Sequence, residues 1–396
     1  MPHYDYLIVG GGMTADAAVR GIRSIDEEGT IGILGREPDP PYDRPPLSKG
    51  LWSGQEEDSI WRDTEELGVG LHLNTDVVRV DREERRVRDQ GGSDYTFGEL
   101  LLATGGTPRK LPDAVPQVNY FRQVRDYRRL RAEADEKKGV AVVGGGFIGS
   151  EISASLAANG YPVTLIFPEE GIGARVLPPG LATHLNDYYR ERGVDVRPGQ
   201  TVASVRKSGD ELLVATEDGT GRALRAAAVV AGLGIEPETT LAETAGLEVE
   251  DGIVVDSSFR TQDPHIYAAG DVAAFWSLPL GKRLRFEHEC QANSSGMHAG
   301  KAMAGESAPY DHLPFFYSDL FDQGYEAVGE LDPERLELVE DWVEPYETGV
   351  VYYLQSDRVR GVLLWNVWGK VKQARALIRA GRAMSRSDLV GRIRPD

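Results

Sequence analysis

Two stretches of this 396-residue chain set three consecutive glycines between an apolar run and a helical pattern. The first is YDYLIVGGGMTADAAVRGIRSI (4–25) and the second is KGVAVVGGGFIGSEISASLAANG (138–160). The glycines have separate tasks. Gly10 and Gly144 make a tight turn, and Gly12 and Gly146 let backbone approach a pyrophosphate. The third position, Ala15 in the first copy and Gly149 in the second, permits helix–strand contact. The phosphates would lie at helix N-termini, where unpaired N–H groups and the helix dipole favour anions. A further candidate is Lys49 in PYDRPPLSKGLW (41–52), where Pro45 and Pro46 stiffen the chain ahead of one long cation. Taken alone, that lysine reads as a solvated loop residue.

The elements that must position these residues follow from the flanking patterns. Each glycine turn is followed by a second strand-like run, TIGILGRE (30–37) and PVTLIFPEE (162–170), so a βαβ unit is written twice. YTFGELLLATGGTPRKLP (95–112) reads as an apolar strand ending in Thr104-Gly105-Gly106. RTQDPHIYAAGDVAAF (260–275) reads as a strand ending in Gly270-Asp271, with an Ala-rich helix after it. Asp271 there can accept hydrogen bonds from ligand hydroxyls, cap the helix, or do both.

The order of these signals describes one domain interrupted by another. The expected bounds are 1–112 with 236–312 for the first, 113–235 for the insert and 313–396 for a third, α+β domain. VVAGLGIEPETT (229–240) marks the return to the first domain. Past residue 312, PFFYSDLFDQGYEAVGELD and GVVYYLQSDRVRGVLLWNVW alternate like antiparallel strands, and GKVKQARALIRAGRAMSR reads as one helix.

Composition excludes several classes. Net charge is −19, which disfavours nucleic acid and anionic membrane surfaces and suits a soluble or salt-adapted protein. No apolar run is long enough for a membrane span, and a strand pattern starts almost at the first residue, so the expected location is the cytoplasm. One cysteine, Cys290, allows neither an internal disulfide nor a paired-thiol redox site, and reads as a small buried hydrophobe. No His/Cys group has metal-ligand spacing.

The motifs resemble the FAD-dependent oxidoreductases with two dinucleotide-binding domains, within them the apoptosis-inducing factor and ferredoxin reductase branch. The stretches that carry this are PYDRPPLSKGLW, LLLATGGTPR, GGGFIGSEISASLA, IFPEEG with RVLP, AAGDVAAFW, FEHE, FYSDLFDQGYEAVGELD, and GVVYYLQ with GVLLWNV. They run from residue 4 to about 381 and lie closest to apoptosis-inducing factor. The resemblance implies an α/β fold: two Rossmann-type three-layer domains, with the NAD domain inserted in the FAD domain. It further implies a C-terminal α+β domain covering the flavin. For FAD it carries over Gly10, Gly12, Arg44, Lys49, Val78, Ala103, Thr104, Gly105, Arg109 and Asp271. The acidic ribose-binding slot holds Arg36 and is followed by Glu37, which is taken as the ribose ligand. For NADH it carries over Gly146, Phe147, Ile148, Glu151, Glu169, Gly234, Glu287 and His288. A carboxylate at Glu169 accepts both ribose hydroxyls and repels a 2′-phosphate, favouring NADH over NADPH; Arg175 softens that preference.

Thiol-using relatives keep redox cysteines beside the flavin. In this branch the resemblance puts Lys49 there, near flavin N5 and paired with Glu151. A fixed ammonium steadies the electron-rich reduced ring without reorganisation at the moment of transfer. Glu151 offsets that cation before reduction and can orient the nicotinamide amide. Glu287 and His288 are placed on the nicotinamide side, His288 either tuning the pH dependence or packing only. Tyr317 stands where the branch usually has a tryptophan near the flavin; a stacking role and a buried-aromatic role both remain open. Where eukaryotic relatives have a longer C-terminal insertion with targeting and nuclear-signal segments, this chain has a short ELDPERLELVED, so a death-related function is not expected to transfer.

Electrons then leave the flavin directly. A [2Fe–2S] ferredoxin, a quinone, a dye and oxygen are the candidate acceptors. Lys372, Arg375, Arg379, Arg382 and Arg386 are spaced to form one helical stripe, and residues 370–396 hold eight basic and two acidic residues, a local +6. That stripe could steer an acidic ferredoxin, or be only a solvated face. Two alternatives stand beside a ferredoxin reductase: a slow NADH-responsive redox sensor with a long-lived reduced complex, and a quinone or oxygen reductase. Either a monomer or a homodimer is compatible with the sequence.

Overall fold

The computed structural model describes residues 1–134, 138–217, 223–306 and 308–395. The chain divides into two compact units. The first comprises 1–43, 58–107 and 236–314; the second comprises 44–57, 108–235 and 315–396.

In the first unit a parallel sheet runs in the order Val69–His72, Ile31–Leu34, His3–Val9 and Asp94–Leu102, with Ile266–Ala268 paired parallel to the far end of Asp94–Leu102. The start of Asp94–Leu102 instead pairs antiparallel with Arg86–Asp89, which pairs with Val77–Asp81. The central strands read as unbroken apolar runs because both faces are covered: Leu7, Ile8, Ile33 and Leu100 through Leu102 are essentially inaccessible. Each such side chain contributes roughly 1.5–3 kcal/mol. The helix Met13–Arg23 lies directly on the helix Glu289–Met303. Small residues set that distance; a Cβ on Gly300 would stand 2.1 Å from the carbonyl oxygen of Ala18.

The second unit repeats the pattern. Its parallel sheet is ordered Val194–Arg197, Val163–Ile166, Val140–Val143, Ala228–Ala231 and Asn119–Tyr120. The helices Phe147–Ala158 and Pro179–Glu191 pack on it, and a three-stranded antiparallel sheet of Val202–Ser208, Glu211–Thr216 and Leu224–Ala226 follows. A five-stranded antiparallel sheet completes the unit, ordered Phe315–Leu320, Gln323–Gly329, Arg358–Trp365, Thr348–Gln355 and Glu337–Glu344. The helix Val371–Ala380 packs on this sheet through Ala374, Leu377 and Ile378. The α/β class with an antiparallel C-terminal part is as the sequence implies.

Two expectations need correction. Asp271 is not followed by a helix. It lies in a 3₁₀ turn, Gly270–Val272, and the alanines after it begin the strand Ala273–Ser277. Ala273 and Ala274 pair with Ile253 and Val254, so ladder bonds override alanine's helix preference. The basic C-terminal helix is also shorter than the charge spacing suggests. It ends at Ala380, where Gly381 turns left-handed (φ +59°). Lys372, Arg375 and Arg379 share that helix; Arg382 and Arg386 lie beyond it.

Candidate active site

The segment that carries Lys49 is two consecutive 3₁₀ turns, Pro45–Ser48 and Gly50–Trp52, with Lys49 as the residue between them. Pro45 and Pro46 supply the fixed φ that starts the first turn. The second is closed by Trp52 N–H donating to the Lys49 carbonyl at 2.9 Å. The Trp52 indole donates to the Leu47 carbonyl at 2.9 Å, and its ring meets the edge of Tyr127. Ser155 Oγ and Asn159 Nδ2 of the helix region starting at Phe147 donate to the carbonyls of Ser48 (2.7 Å) and Trp52 (2.9 Å). The lysine is therefore tied to the same helix that bears Glu151.

Glu151 is a buried carboxylate whose side chain is 7% exposed. Ser48 Oγ donates to its Oε2 at 2.6 Å and Ser318 Oγ to its Oε1 at 2.7 Å. Lys49 Nζ stands 3.1 Å from Oε1. The same ammonium is 3.3 Å from Asp319 Oδ2 and 4.1 Å from the centre of the Tyr317 ring. Burying one carboxylate unpartnered would be prohibitive; two hydroxyls and a cation remove most of that cost. The buried phenols Tyr189 and Tyr325 are held well above the usual tyrosine range, first by burial and then by the Glu151 charge. They stay neutral, so the local charge is that of Lys49, Glu151 and Asp319.

The two glycine turns are built as nucleotide cradles. Gly10 (φ +119°) and Gly144 (φ +111°) hold conformations that disfavour any side chain, and an added Cβ would stand 2.1 Å from the Ala103 oxygen and 2.4 Å from the Gly232 oxygen. Gly12 and Gly146 are extended N-caps with no side-chain cap bond, so the first N–H groups of both helices have no capping side chain. Nothing lies within 4 Å of a Cβ built on Gly146. An open, uncapped N-terminus of this kind fits a pyrophosphate, and the residues present therefore suit two dinucleotides. Phe147 is partly exposed beside this opening, its ring edge-on to Phe316, and Ile148 follows it half-buried.

The other sequence candidates fall into groups. In the first unit, Ala103 packs on Gly10, Thr104 Oγ1 donates to the Glu238 carbonyl at 2.7 Å, and the Gly105 carbonyl accepts from Glu238 N–H at 3.0 Å. Ala15 is buried within the first helix. Glu37 Oε2 accepts from the Tyr42 hydroxyl at 2.7 Å, while Arg36 pairs with Asp76. Val78 is exposed at a bulge, between Val77 opposite Asp89 and Arg79 opposite Arg88. Arg285 links two more, donating to Glu287 Oε1 (2.6 Å) and the Asp271 carbonyl (3.3 Å). His288 is the N-cap of Glu289–Met303, its Nδ1 accepting from Cys290 N–H.

In the second unit, Arg44 donates to the Arg122 carbonyl (2.8 Å). Arg109 is held against Gly234 and Ile235 through their carbonyls. Glu169 Oε1 accepts from Arg175 at 2.8–2.9 Å. Lys49, Glu151 and Tyr317 converge. Sequence reasoning missed Ser48, Ser318 and Asp319, although Ser48 adjoins Lys49 in LSK, and Ser318 and Asp319 follow Tyr317 in FYSD.

Comparison with known proteins identifies this architecture. The model of the pyridine nucleotide-disulphide oxidoreductases matches residues 4–304. The chain belongs to that family. A second model, for the C-terminal part of mitochondrion-associated apoptosis-inducing factor, matches residues 334–380. A Drosophila melanogaster relative bearing the apoptosis-inducing factor 1 name is 31% identical over 95% of this chain, which spans 63% of that relative's length. The ferredoxin reductase subunit of the 5,5′-dehydrodivanillate O-demethylase of Sphingobium is 32% identical, over 98% of this chain and 96% of its own. A chain of the covalent putidaredoxin reductase–putidaredoxin complex superposes with a TM-score of 0.90 at 30% identity, over 98% of this chain and 95% of that one. This protein is accordingly an FAD-dependent NAD(P)H oxidoreductase. Despite the family's name, one cysteine leaves it no disulfide within the chain.

Proposed function

We propose that this chain is an NADH-dependent ferredoxin reductase in which Lys49, and no thiol, serves the flavin. The observation that carries this is the Lys49–Glu151 pair, gripped by Ser48 and Ser318. The flavin, when bound, takes two electrons from the nicotinamide and can release them singly to a one-electron acceptor. The chain's own contributions are electrostatic and positional. Gly10 and Gly12 admit the FAD pyrophosphate, and Arg44, Val78, Thr104, Arg109 and Asp271 supply further FAD contacts, with Glu37 on its ribose. Gly144, Gly146, Phe147 and Ile148 frame the NADH diphosphate, and Glu169 takes the adenosine ribose. Lys49 holds a positive charge ready for the reduced ring. Glu151 keeps that cation neutralised beforehand and orients the nicotinamide amide, with Glu287 and His288 on the nicotinamide side. Tyr317 fixes the lysine from its ring face. Residues 1–112 with 236–312 are read as the FAD domain, 113–235 as the NAD domain and 313–396 as the C-terminal domain.

For the acceptor, support comes from relatives named as ferredoxin reductases and from the putidaredoxin reductase likeness. Lys372 and Arg379 are exposed on the helix Val371–Ala380 within the basic C-terminal region, suited to an acidic [2Fe–2S] protein. The protein is read as cytoplasmic; no helix among the described residues is long and apolar enough to cross a membrane. A second reading, a slow NADH-responsive sensor, draws on the apoptosis-inducing factor match at residues 334–380.

Anaerobic reduction with NADH followed by mixing with cytochrome c separates these readings. The reductase reading expects fast cytochrome reduction when an acidic [2Fe–2S] ferredoxin is present, slowing as salt rises. A rate independent of ferredoxin, with a reduced protein that survives minutes in air, supports the sensor instead.

A further inference from the structure

The single positive charge of Lys49 is met by two carboxylates. Glu151 alone would neutralise it, yet Asp319 Oδ2 also stands 3.3 Å from Nζ. The two carboxylates are held differently. Glu151 is buried and saturated by Ser48, Ser318 and Lys49. The Asp319 side chain is 55% exposed, so water can solvate it and its ion pair is not needed to offset burial. Its position is nevertheless set by the sheet. In the strand Phe315–Leu320, Tyr317 and Asp319 are two residues apart and share a face. The ring of one and the carboxylate of the other thus meet the same ammonium. Together Lys49, Glu151 and Asp319 sum to one net negative charge, and among the described residues Lys49 is the cation within 4 Å of Asp319.

We infer that Asp319 is a positioning residue that sets the reduction potential of the bound flavin, by drawing on the Lys49 ammonium and leaving the cluster net negative. This rests on the reading that Lys49 serves the flavin. A negative surplus beside a group about to gain electrons disfavours its reduction, and so makes the reduced form a stronger donor. Because Asp319 is exposed, its influence is the part of the cluster that salt can screen, whereas the buried Glu151 is shielded from ions.

The test is the flavin midpoint potential of the FAD-loaded protein, measured by spectroelectrochemistry at low salt and at 1 M salt. Asp319→Asn is expected to shift the reduction equilibrium at least threefold toward the reduced form at low salt, about 14 mV for a two-electron couple. The difference from the native protein should shrink at high salt, and Asp319→Glu should restore the native value. Asp319→Ser is read in the same way if the Asn variant yields no loaded protein. Lys49→Met is the control, expected to shift the equilibrium in the opposite direction. An unchanged or lowered potential in Asp319→Asn, with Lys49→Met still effective, overturns the inference alone. If Lys49→Met is also silent, the assignment of Lys49 to the flavin fails and takes the inference with it.

Discussion

The helices that follow the two glycine turns each bury one carboxylate near their start, and the two are treated in opposite ways. Asp16, on Met13–Arg23, is 2% exposed and is met by Arg20 (3.0 Å), by Arg62 (2.9 Å) and by the hydroxyl of Thr64 (2.8 Å). Two guanidiniums cannot lose their charge, and Arg62 also reaches Asp43. This cluster is a tie: it pins residues 43, 62 and 64 to the helix. Glu151, on Phe147–Ala158, is met by two serine hydroxyls and one ammonium. Hydroxyls are short neutral donors, and the lysine is a compact point charge shared with Asp319 and the Tyr317 ring. The same turn-and-helix plan therefore ties the chain together in one copy and, in the other, gathers the lysine proposed to serve the flavin.

Breaking each carboxylate should separate these roles. The larger effect on stability belongs to Asp16→Asn, which removes the buried anion that Arg20, Arg62 and Thr64 share and leaves Arg62 only Asp43. A loss of about 2–3 kcal/mol in urea-unfolding free energy is expected. Glu151→Gln should cost much less, about 1 kcal/mol, because the amide oxygen can still accept from one serine and the Asp319 partner of Lys49 remains. Its effect should instead fall on the rate of flavin reduction by NADH. Equal stability losses in the two variants would erase the distinction between tie and working charge.

The turns themselves were legible because chemistry and geometry there depend on a few adjacent residues. Gly10 and Gly144 turn with positive φ, which is a local demand, and a Cβ on Gly149 would lie 1.7 Å from the Gly144 carbonyl oxygen. The apolar runs of the parallel sheets were readable for the same reason. Alanine's local propensity points to a helix after Asp271, while the strand Ala273–Ser277 is made by partners at 253 and 254 and at 282 to 284. The charge stripe overran the true helix because periodicity does not register the left-handed turn at Gly381. Ser48 and Ser318 were missed as ligands of Glu151 because 103 and 167 residues separate them from it. A resemblance supplies the Lys49–Glu151 pairing, but the hydroxyls that make a buried carboxylate tolerable become visible only when the chain is folded.

One ammonium, positioned by this cluster, is proposed to steady the reduced flavin in a chain that has no thiol pair to relay its electrons. Stopped-flow reduction of FAD-loaded Lys49→Met by NADH, followed at the flavin absorbance band, tests it most directly. Full FAD content with bleaching at least tenfold slower than in the native protein is the predicted result. Bleaching at the native rate, with full FAD content and an unshifted potential, would contradict it.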